Sequence, residues 1–354
     1  MSGSSLDGLD LAFAEFQQQS GKWHYEIMEA ECIPYPAAWK EKLGGSARLA
    51  ARDYLLLHAE FGHYIGREIK SFMDRFGLAY KVALVSSHGH TSFHMPPWMT
   101  AQLGDGSAIA AETGLPVITD LRSLDVALGG QGAPIVPMGE KLLWQDYQFF
   151  LNIGGIANIS VNLPKHYFAY DVCPANRVLN MISSKQGREY DEGGSMASTG
   201  NLNALVLDQL NGLDYYAKAY PKSLANEFGT VTVFPILQQA ELPDSDALRT
   251  YTEHIAIQVA RAVEMHLPEF AVSHLRMLIT GGGAFNDFLI GRLRNHLELM
   301  SVELEVPDPK LVKYKEALIM ALLGILRWRD EPTAMASVTG AIRDSIGGAV
   351  WTGA

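Results

Sequence analysis

The spacing of apolar residues changes along the chain, and each spacing predicts one kind of element. Near the start, Leu9, Leu11 and Phe13 occupy every second position, which is typical of a half-buried β-strand. In "FFLNIGGIANISVNL", one apolar run reaches Gly154 and Gly155, and the run that follows alternates with polar residues. Two such runs around a glycine pair predict a β-hairpin.

Helical spacing is found in two later segments. In "LRMLITGGGAFNDFLIGRL", a buried strand over Leu275–Thr280 leads into three glycines, and a helix then begins with Asn286 as its cap. The apolar face of that helix carries Leu289, Leu293 and Leu297. The segment "TEHIAIQVARAVEMHL" predicts a long amphipathic helix with an apolar face formed by Ile255, Val259, Val263 and Leu267. Strands that alternate with helices predict an α/β fold.

The length of the chain and its turn-forming residues predict two domains. A chain of 354 residues is long enough for about two domains with sizeable cores. Glycines and prolines cluster over residues 128–137 between two apolar blocks, which favours a domain boundary there. The predicted N-terminal domain covers residues 1–127 together with a C-terminal segment of about 330–354. The predicted C-terminal domain covers residues 128–329.

Composition narrows the classes of partner and location. The net charge is −11 and no basic run occurs, so a nucleic-acid surface is not expected, and a bound phosphate is expected to belong to a small ligand. Cys32 and Cys173 lie far apart and outside any CxxC pattern, so neither a disulfide framework nor a zinc site is predicted. The opening lacks a signal peptide, and the longest apolar run, over residues 318–326, is about half of what a bilayer crossing needs. We therefore expect a cytoplasmic protein with no membrane segment.

The common nucleotide-binding and hydrolase motifs are absent from the sequence. It has no GxxxxGK[ST], no GxGxxG and no GxSxG. The opening "MSGSSLDGLD" predicts a tight turn, because Gly3 and Gly8 tolerate positive φ and the polar side chains between them can form turn hydrogen bonds. Exposed N–H groups of such a turn suit an anion. An ordinary hairpin connection explains the same stretch.

Several polar residues could carry chemistry, each with a structural alternative. Asp171 in "FAYDVCPANRVLN" follows an apolar strand and precedes a helix that starts near Asn176, so it either caps that helix or acts as a general base at the strand end. Glu316 begins an apolar helix, where it complements the helix dipole or accepts hydrogen bonds from sugar hydroxyls. Arg122 and Asp125 form either a surface ion pair or part of a site.

The sequence "HGHTSFH" groups three histidines, His88, His90 and His94. Neutral imidazoles can bind a metal ion, but two of these histidines share one strand face and no acidic or cysteine partner is near. Hydrogen bonding to a polar ligand is therefore favoured over metal binding, and the metal-binding residues, if any, stay unknown.

The order of the motifs is more specific than any one of them. "MSGSSLDGLD", "SSHGHTSFH", "TGLPVITDLRSLDVALGGQGAPIVP", "LNIGGIANIS", "YDVCPAN", "YDEGG", "ITGGGAFN", "KEALIMALLGILR" and "SVTGA" follow one another along nearly the whole chain. In this order they resemble the anhydro-N-acetylmuramic acid kinases, and "DLRSLDVALGGQGAP" is the most specific part. The resemblance implies the actin, sugar-kinase and heat-shock ATPase superfamily, with a two-domain, ribonuclease H-like α/β fold and ATP in an inter-domain cleft.

The resemblance also implies a reaction and a set of site residues. Water opens the 1,6-anhydro ring of 1,6-anhydro-N-acetylmuramic acid, and the freed 6-oxygen takes the γ-phosphate of ATP in a step of peptidoglycan recycling. Asp171 is then the base that activates water, and ATP and Mg²⁺ are the cofactors. The implied sugar-binding residues are His88, Arg122, Asn176 and Glu316. The implied ATP-binding residues are Gly3, Ser4, Ser5, Leu6, Asp7, Gly8, Leu9, Asp10, Asn152, Gly154, Gly155, Gly281, Gly282 and Gly283.

The sequence departs from the family pattern around the base and at the start. The family's "DTGPGN" is "DVCPAN" here, a frequent aspartate is Asn180, and the glutamine of "SHGQT" is His90. Family members carry apolar residues before the opening motif, so here either the start is truncated or mis-assigned, or the first strand is short. A kinase for another anhydro- or amino sugar and a non-catalytic nucleotide-sensing ATPase stay open as alternatives, and so does a homodimer.

Overall fold

The structure of the protein, a computed structural model, describes residues 1–3, 6–163, 166–225, 227–271 and 274–353. The strands are β1 (Gly8–Gln19), β2 (Lys22–Pro34), β3 (Val85–Ser86), β4 (His90–Met95), β5 (Met99–Leu103), β6 (Val117–Thr119), β7 (Phe149–Ile153), β8 (Ile156–Asn162), β9 (Tyr167–Pro174), β10 (Leu275–Thr280), β11 (Val302–Glu305) and β12 (Ala349–Trp351).

The α-helices vary from one turn to seven turns in length. They are α1 (Ala37–Gly45), α2 (Ala51–Arg75), α3 (Gly106–Thr113), α4 (Ser123–Ala127), α5 (Val136–Leu143), α6 (Asn176–Ser184), α7 (Ser195–Thr199), α8 (Ala204–Asn211), α9 (Phe234–Gln239), α10 (Asp244–Glu264), α11 (Asp287–Glu298), α12 (Pro309–Trp328) and α13 (Ala336–Thr339). Within the described ranges, no helix is both long enough and apolar enough to cross a membrane.

The chain divides into two compact units. Unit 1 comprises Met1–Trp144 and Tyr314–Ala354, and unit 2 comprises Gln145–Lys313. Both units combine strands with helices, which confirms the α/β class. The units divide between residues 144 and 145 and between residues 313 and 314. The domain boundaries predicted from the sequence, at 127/128 and near 329/330, differ from these positions and stay predictions.

The described residues of unit 1 form three small sheets. β1 and β2 form a long antiparallel hairpin with a register shift at Phe13 and Ala14. β6 pairs in parallel with β3 and antiparallel with β12, and β4 and β5 form a second hairpin. The predicted alternation of apolar and polar positions in β1 is confirmed for Leu9 and Leu11. Both are buried and pack with α2 residues such as Phe61 and Ile65. The apolar side of β1 therefore forms the core of this unit.

The opening residues run along the side of β1 that faces away from β2. The Met1 ammonium donates to the Asp10 carbonyl oxygen at 2.7 Å, and the Asp10 N–H donates back to Met1 O at 2.9 Å. Ser2 bridges to both Leu9 and His90. Farther along the same side, β1 lines a cavity of about 760 Å³, together with apolar residues of α2, β3 and α12.

Unit 2 contains one five-stranded sheet in the order β11-β10-β7-β8-β9. The first three strands are parallel, so the carboxyl ends of β7 and β10 lie side by side. The pairs β7–β8 and β8–β9 are antiparallel, which confirms the hairpin predicted around Gly154 and Gly155. This arrangement gathers the turns after β7 and β10 at one edge of the sheet.

Helices α10 and α11 pack on the core of unit 2. Leu289, Leu293 and Leu297 of α11 are fully buried, and Asn286 caps the helix by accepting from Leu289 N–H at 3.0 Å, as predicted. Ile255, Val259 and Val263 of α10 are also fully buried. The prediction that this helix reaches Leu267 is wrong, since α10 ends at Glu264. A separate 3₁₀ turn begins at Leu267, directly before a proline that cannot continue a helix.

A buried carboxylate joins α10 to α11. Glu253 is 5% exposed and accepts hydrogen bonds from Arg292 Nε at 2.6 Å, Arg249 Nη1 at 2.9 Å and His296 Nε2 at 2.9 Å. Burial raises the pKa of Glu253, but the hydrogen bonds from Arg292, His296 and Arg249 outweigh it and lower the pKa from 4.5 to about 2. Glu253 therefore holds two helices together as an ionised group.

Candidate active site

Asp171 lies inside β9 and next to a β-bulge. Asn158 of β8 is opposite Asp171, whereas its neighbour Ala157 is opposite Cys173, so Val172 is the extra residue. The strand continues to Pro174, so the sequence-based interpretation that the strand stops at Asp171 is wrong. The bulge interrupts the hydrogen bonding between β8 and β9. The spacing of apolar residues in the sequence does not reveal it. Bulges of this kind re-aim side chains beside functional sites.

Three atoms of Asp171 contact one later segment of the chain. Its Oδ2 accepts from Leu224 N–H at 2.9 Å, and its own N–H donates to Lys222 O at 3.4 Å. Its carbonyl oxygen accepts from the Tyr215 hydroxyl at 2.6 Å. The helix after the strand, α6, begins at Asn176 as predicted, but it has no side-chain cap and follows Ala175. The alternative in which Asp171 caps this helix is therefore wrong.

The protein surroundings of Asp171 favour the protonated, neutral carboxyl group more than bulk water would. Burial raises the pKa of the carboxyl above its usual value, and the Leu224 N–H offsets part of that effect by stabilising the carboxylate. Burial likewise raises the pKa of the adjacent Cys173 thiol, which stays neutral. A carboxylate with a raised pKa is a stronger base than one in water, which suits it to accept a proton.

Two glycine turns meet in unit 2, as the parallel pairing of β7 and β10 requires. A Cβ added to Gly281 would lie 2.7 Å from Asn152 Oδ1 and 2.7 Å from Ile153 O, so the turn after β10 packs closely on the end of β7. Asn176 binds the turn after β7, since its Nδ2 donates to Ile153 O at 3.1 Å and its N–H donates to Gly154 O at 3.0 Å. It also lies against the turn after β10, because a Cβ added to Gly283 would be 3.1 Å from its Oδ1. Residues from three sequence regions thus form one cluster.

Different glycines of this cluster have different physical roles. Gly281 has φ of +84°, which L side chains rarely adopt, and its close contacts leave no room for a Cβ. Gly155 and Gly282 are exposed, and a Cβ there would meet only ordinary contacts. Their backbones are open to a ligand on the surface, so the cluster fits a phosphate chain held by main-chain N–H groups.

Arg122 and His88 form a pair in unit 1. Arg122 Nε donates to His88 Nε2 at 2.8 Å, and Arg122 Nη1 donates to Gly132 O at 2.6 Å. His88 Nδ1 donates to Gly89 O at 3.0 Å, so the imidazole is neutral with its proton on Nδ1. Burial and then the Arg122 charge lower the pKa of His88 to about 3. His88 therefore orients Arg122 at every pH at which enzymes commonly work.

Asp125 is not the ion-pair partner of Arg122. It is 1% exposed, its Oδ2 accepts from Gly132 N–H at 2.7 Å, and its Oδ1 accepts from the Thr339 hydroxyl at 2.7 Å. The alternative of a surface Arg–Asp pair is therefore wrong. Asp125 instead binds the N–H of Gly132 while Arg122 binds the C=O of the same residue, which holds the guanidinium in place.

Glu316 is exposed in the third turn of α12, which begins at Pro309, so the prediction that Glu316 starts this helix is wrong. Its charge acts electrostatically on Arg122. Burial lowers the pKa of Arg122 to about 10, and the negative charge of Glu316 opposes that shift. His90 Nδ1 contacts Ser2 Oγ at 3.1 Å, and His94 Nδ1 contacts Thr100 Oγ1 at 3.2 Å. Among the described residues, no group of three or more His, Cys, Asp or Glu side chains could hold a metal ion.

The predicted first phosphate turn is only partly described. Ser4 and Ser5 lie outside the described residues. Among the described residues of this turn, the positive φ is at Leu6, +58°, and not at Gly3 or Gly8, the residues that the sequence suggested for it. Asp7 O accepts from Tyr35 N–H at 3.1 Å. Gly8 is required by packing, because a Cβ there would lie 2.5 Å from Ile33 O of β2.

The other described residues of this stretch differ in burial. Gly3 is half-buried, and Leu9 is buried in the core of unit 1. Asp10 is half-buried, and burial raises the pKa of its carboxyl, which accepts a hydrogen bond from the Cys32 thiol.

Sequence reasoning missed the residues that contact Asp171 and the second glycine turn. Tyr215, Lys222 and Leu224 belong to "DYYAKAYPKSL", whose three tyrosines and two lysines could have marked it as more than a polar loop. Arg177 was also missed: a Cβ on Gly155 would lie 3.7 Å from its Nε, so a guanidinium stands beside the exposed turn. Both contacts join residues brought together by the sheet.

Comparisons with known proteins give one consistent result. A family model described as anhydro-N-acetylmuramic acid kinase matches residues 1–353. A relative of that name from Saccharophagus degradans is 32% identical, and the alignment covers 99% of this chain and 97% of the relative. Another of that name, from Vibrio parahaemolyticus, is 33% identical over 97% of this chain and 94% of its own length.

Among solved structures, the activator of the 2-hydroxyisocaproyl-CoA dehydratase from Clostridium difficile, with bound ADPNP, is 15% identical. It aligns with a TM-score of 0.35 over 85% of this chain and 91% of its own.

Proposed function

The chain belongs to the anhydro-N-acetylmuramic acid kinase family, and on that premise we propose that it converts 1,6-anhydro-N-acetylmuramic acid and ATP to N-acetylmuramic acid 6-phosphate and ADP. Water adds to the anomeric carbon, the bond from that carbon to the 6-oxygen breaks, and the 6-oxygen takes the γ-phosphate. Two bonds form and two break, so the proposed reaction needs no oxidant or reductant. The product suits peptidoglycan recycling in the cytoplasm, where ATP is available.

The observation that carries the proposal is the setting of Asp171. Its carboxylate is half-buried, has a raised pKa and is anchored through Oδ2 by the Leu224 N–H. We assign it the role of general base: it takes the proton from water and can return that proton to the departing 6-oxygen. Positioned proton transfer of this kind contributes about 10²–10⁴-fold in rate.

The nucleotide would be held by glycine turns. In unit 2 these are Gly154, Gly155 and Gly281–283, next to Asn152 and Asn176. In unit 1 the first turn, residues 3–10, is assigned the same role. When bound, Mg²⁺ neutralises the charge of the phosphates, which explains how a chain of net charge −11 binds a polyanion without a basic patch. We assign His88, Arg122, Asn176 and Glu316 to the sugar.

A direct assay tests the proposal. The protein is incubated with Mg-ATP and 1,6-anhydro-N-acetylmuramic acid, and mass spectrometry and an ADP assay follow the products. We expect ADP and a sugar 6-phosphate in equal amounts, and oxygen from ¹⁸O-labelled water at the anomeric carbon. Nucleotide binding without a phosphorylated product would favour the nucleotide-sensing alternative. The two relatives described above, each named for the kinase, do not favour that alternative or a different sugar. A homodimer stays a prediction.

Replacing Arg122 with Lys should weaken sugar binding and leave ATP binding unchanged. A lysine keeps the charge but cannot contact His88 and Gly132 O with two fixed N–H groups, so the cation loses its orientation. We expect the KM for the sugar to rise about 10–100-fold, as is usual when a charged hydrogen bond is lost. Steady-state kinetics measure the change, and Arg343→Lys, at an exposed position in the same unit, is the control. An unchanged sugar KM would remove Arg122 from the site.

A further inference from the structure

Lys222 is a half-buried cation beside Asp171. Its Nζ lies 4.9 Å from the ring centre of Tyr215 and 5.6 Å from that of Tyr170. Its carbonyl oxygen accepts the Asp171 N–H at 3.4 Å, and two residues later Leu224 N–H holds the Asp171 carboxylate. The ammonium therefore has a defined position on the segment that anchors the proposed base.

No protein anion balances this cation in the part of the chain that the structure describes. None of the ion pairs there includes Lys222, and the titratable group that acts on it electrostatically is the Cys173 thiol, which burial keeps neutral. Burial lowers the pKa of Lys222, as expected for an ammonium that has lost water without gaining a carboxylate. The two tyrosine rings offset part of this cost through cation–π contacts. A half-buried cation without a protein counter-charge is suited to receive an anion from a ligand.

The proposed substrate carries such an anion. Muramic acid differs from glucosamine by a lactyl ether, which ends in a carboxylate, and a binding site for the acid needs a cation that the site of a neutral amino sugar does not need. Arg122 is less suited to this role, because its Nε and Nη1 are already bonded to His88 and Gly132. Lys222 makes no such hydrogen bond in the described structure.

We propose that Lys222 binds the lactyl carboxylate of the sugar and is a specificity-determining residue for N-acetylmuramic over neutral amino sugars. The inference rests on the proposed function. The ammonium and the lactyl carboxylate form a charge-assisted hydrogen bond, and the two tyrosine rings hold the lysine stem in place. Because the same segment anchors Asp171, binding of the carboxylate also brings the sugar next to the base.

The test compares two sugars in four proteins. The sugars are 1,6-anhydro-N-acetylmuramic acid and 1,6-anhydro-N-acetylglucosamine, which lacks the lactyl group. The proteins are wild type, Lys222→Met, Lys222→Arg and Lys185→Met. Methionine keeps the apolar stem between the rings and removes the charge. Lys185 also lies over a ring, that of Phe234, at 5.3 Å, so its variant controls for loss of a cation–π contact in the same unit.

The expected result is a change in preference between the sugars. In Lys222→Met the KM for the acid sugar rises about 10–100-fold, while kcat, the KM for ATP and turnover of the neutral sugar stay within about twofold of wild type. Lys222→Arg restores most of the preference, and Lys185→Met retains all of it. Circular dichroism melting of each variant verifies the fold.

Three outcomes decide the matter. An unchanged ratio of kcat/KM for the two sugars in Lys222→Met overturns the proposal. An equal loss with both sugars also overturns it, because Lys222 would then act on Asp171 or on the fold. Absence of any sugar phosphate with wild type refutes the proposed function itself, and the assignment of Lys222 with it.

Discussion

Asp171→Asn should lower kcat about 10²–10⁴-fold while ATP binding persists. An amide cannot accept the proton of the attacking water, whereas its oxygen can still accept the Leu224 N–H, so the local structure is retained. Single-turnover kinetics with excess enzyme measure the loss in the chemical step. Isothermal calorimetry with a non-hydrolysable ATP analogue measures nucleotide binding.

The same residue sets the direction of the pH dependence. The base works when ionised, so kcat/KM falls as the pH drops through the raised pKa of Asp171. His88 does not set this limb, since its pKa is about 3. Asp208→Asn, at an exposed position of the same unit, is the control and should match wild type. If Asp171→Asn retained full turnover, the base would have to be sought elsewhere.

Glu253→Gln should destabilise unit 2 by about 3 kcal/mol near neutral pH. The pKa of this carboxyl falls from 4.5 to about 2 on folding, and a tenfold change in an acid dissociation constant corresponds to about 1.4 kcal/mol. Glutamine keeps the size of the side chain but removes the charge that Arg249, Arg292 and His296 surround. Urea unfolding at pH 7 gives the difference in free energy.

The pH dependence of this effect has a definite sign. Because the folded pKa is depressed, the stabilisation is fully present above about pH 4.5 and is lost as the pH falls towards 2. The difference between wild type and Glu253→Gln should therefore shrink over that range. Glu264→Gln, an exposed change on the same helix, should be neutral at every pH. A constant difference between pH 7 and pH 2 would contradict the ionic explanation.

The sequence predicted those helices and strands whose caps, turns and apolar positions lie within a few residues of each other. Helix α11 was predicted from a cap at Asn286 and from leucines that recur every four residues, at 289, 293 and 297. The β7–β8 hairpin was predicted from the glycine pair that forms its turn. The end of α10 was missed by three residues, because the apolar spacing continued to Leu267 although Pro268 ended the helix.

The candidate site was predictable only in part. The resemblance to a family singled out Asp171, Arg122 and the glycine turns, but nothing local predicts which atoms each of them contacts. Tyr215 meets Asp171 across 44 residues, and Arg122 meets His88 across 34. Such partners depend on how strands are ordered in space. The bulge at Val172 is equally hidden, because one extra residue changes no composition and little of the apolar pattern.

The segment around Lys222 has another effect, which follows from the order of the sheet in unit 2. β9 is an outer strand, and an uncovered outer strand is a template for pairing with other molecules. The hydrogen bond from Asp171 N–H to Lys222 O, and the ring of Tyr220 stacked on Phe168 at 4.1 Å, cover part of that strand. Changes that loosen this cover should therefore make the protein prone to aggregate during expression and storage, even when the residues proposed for catalysis are intact.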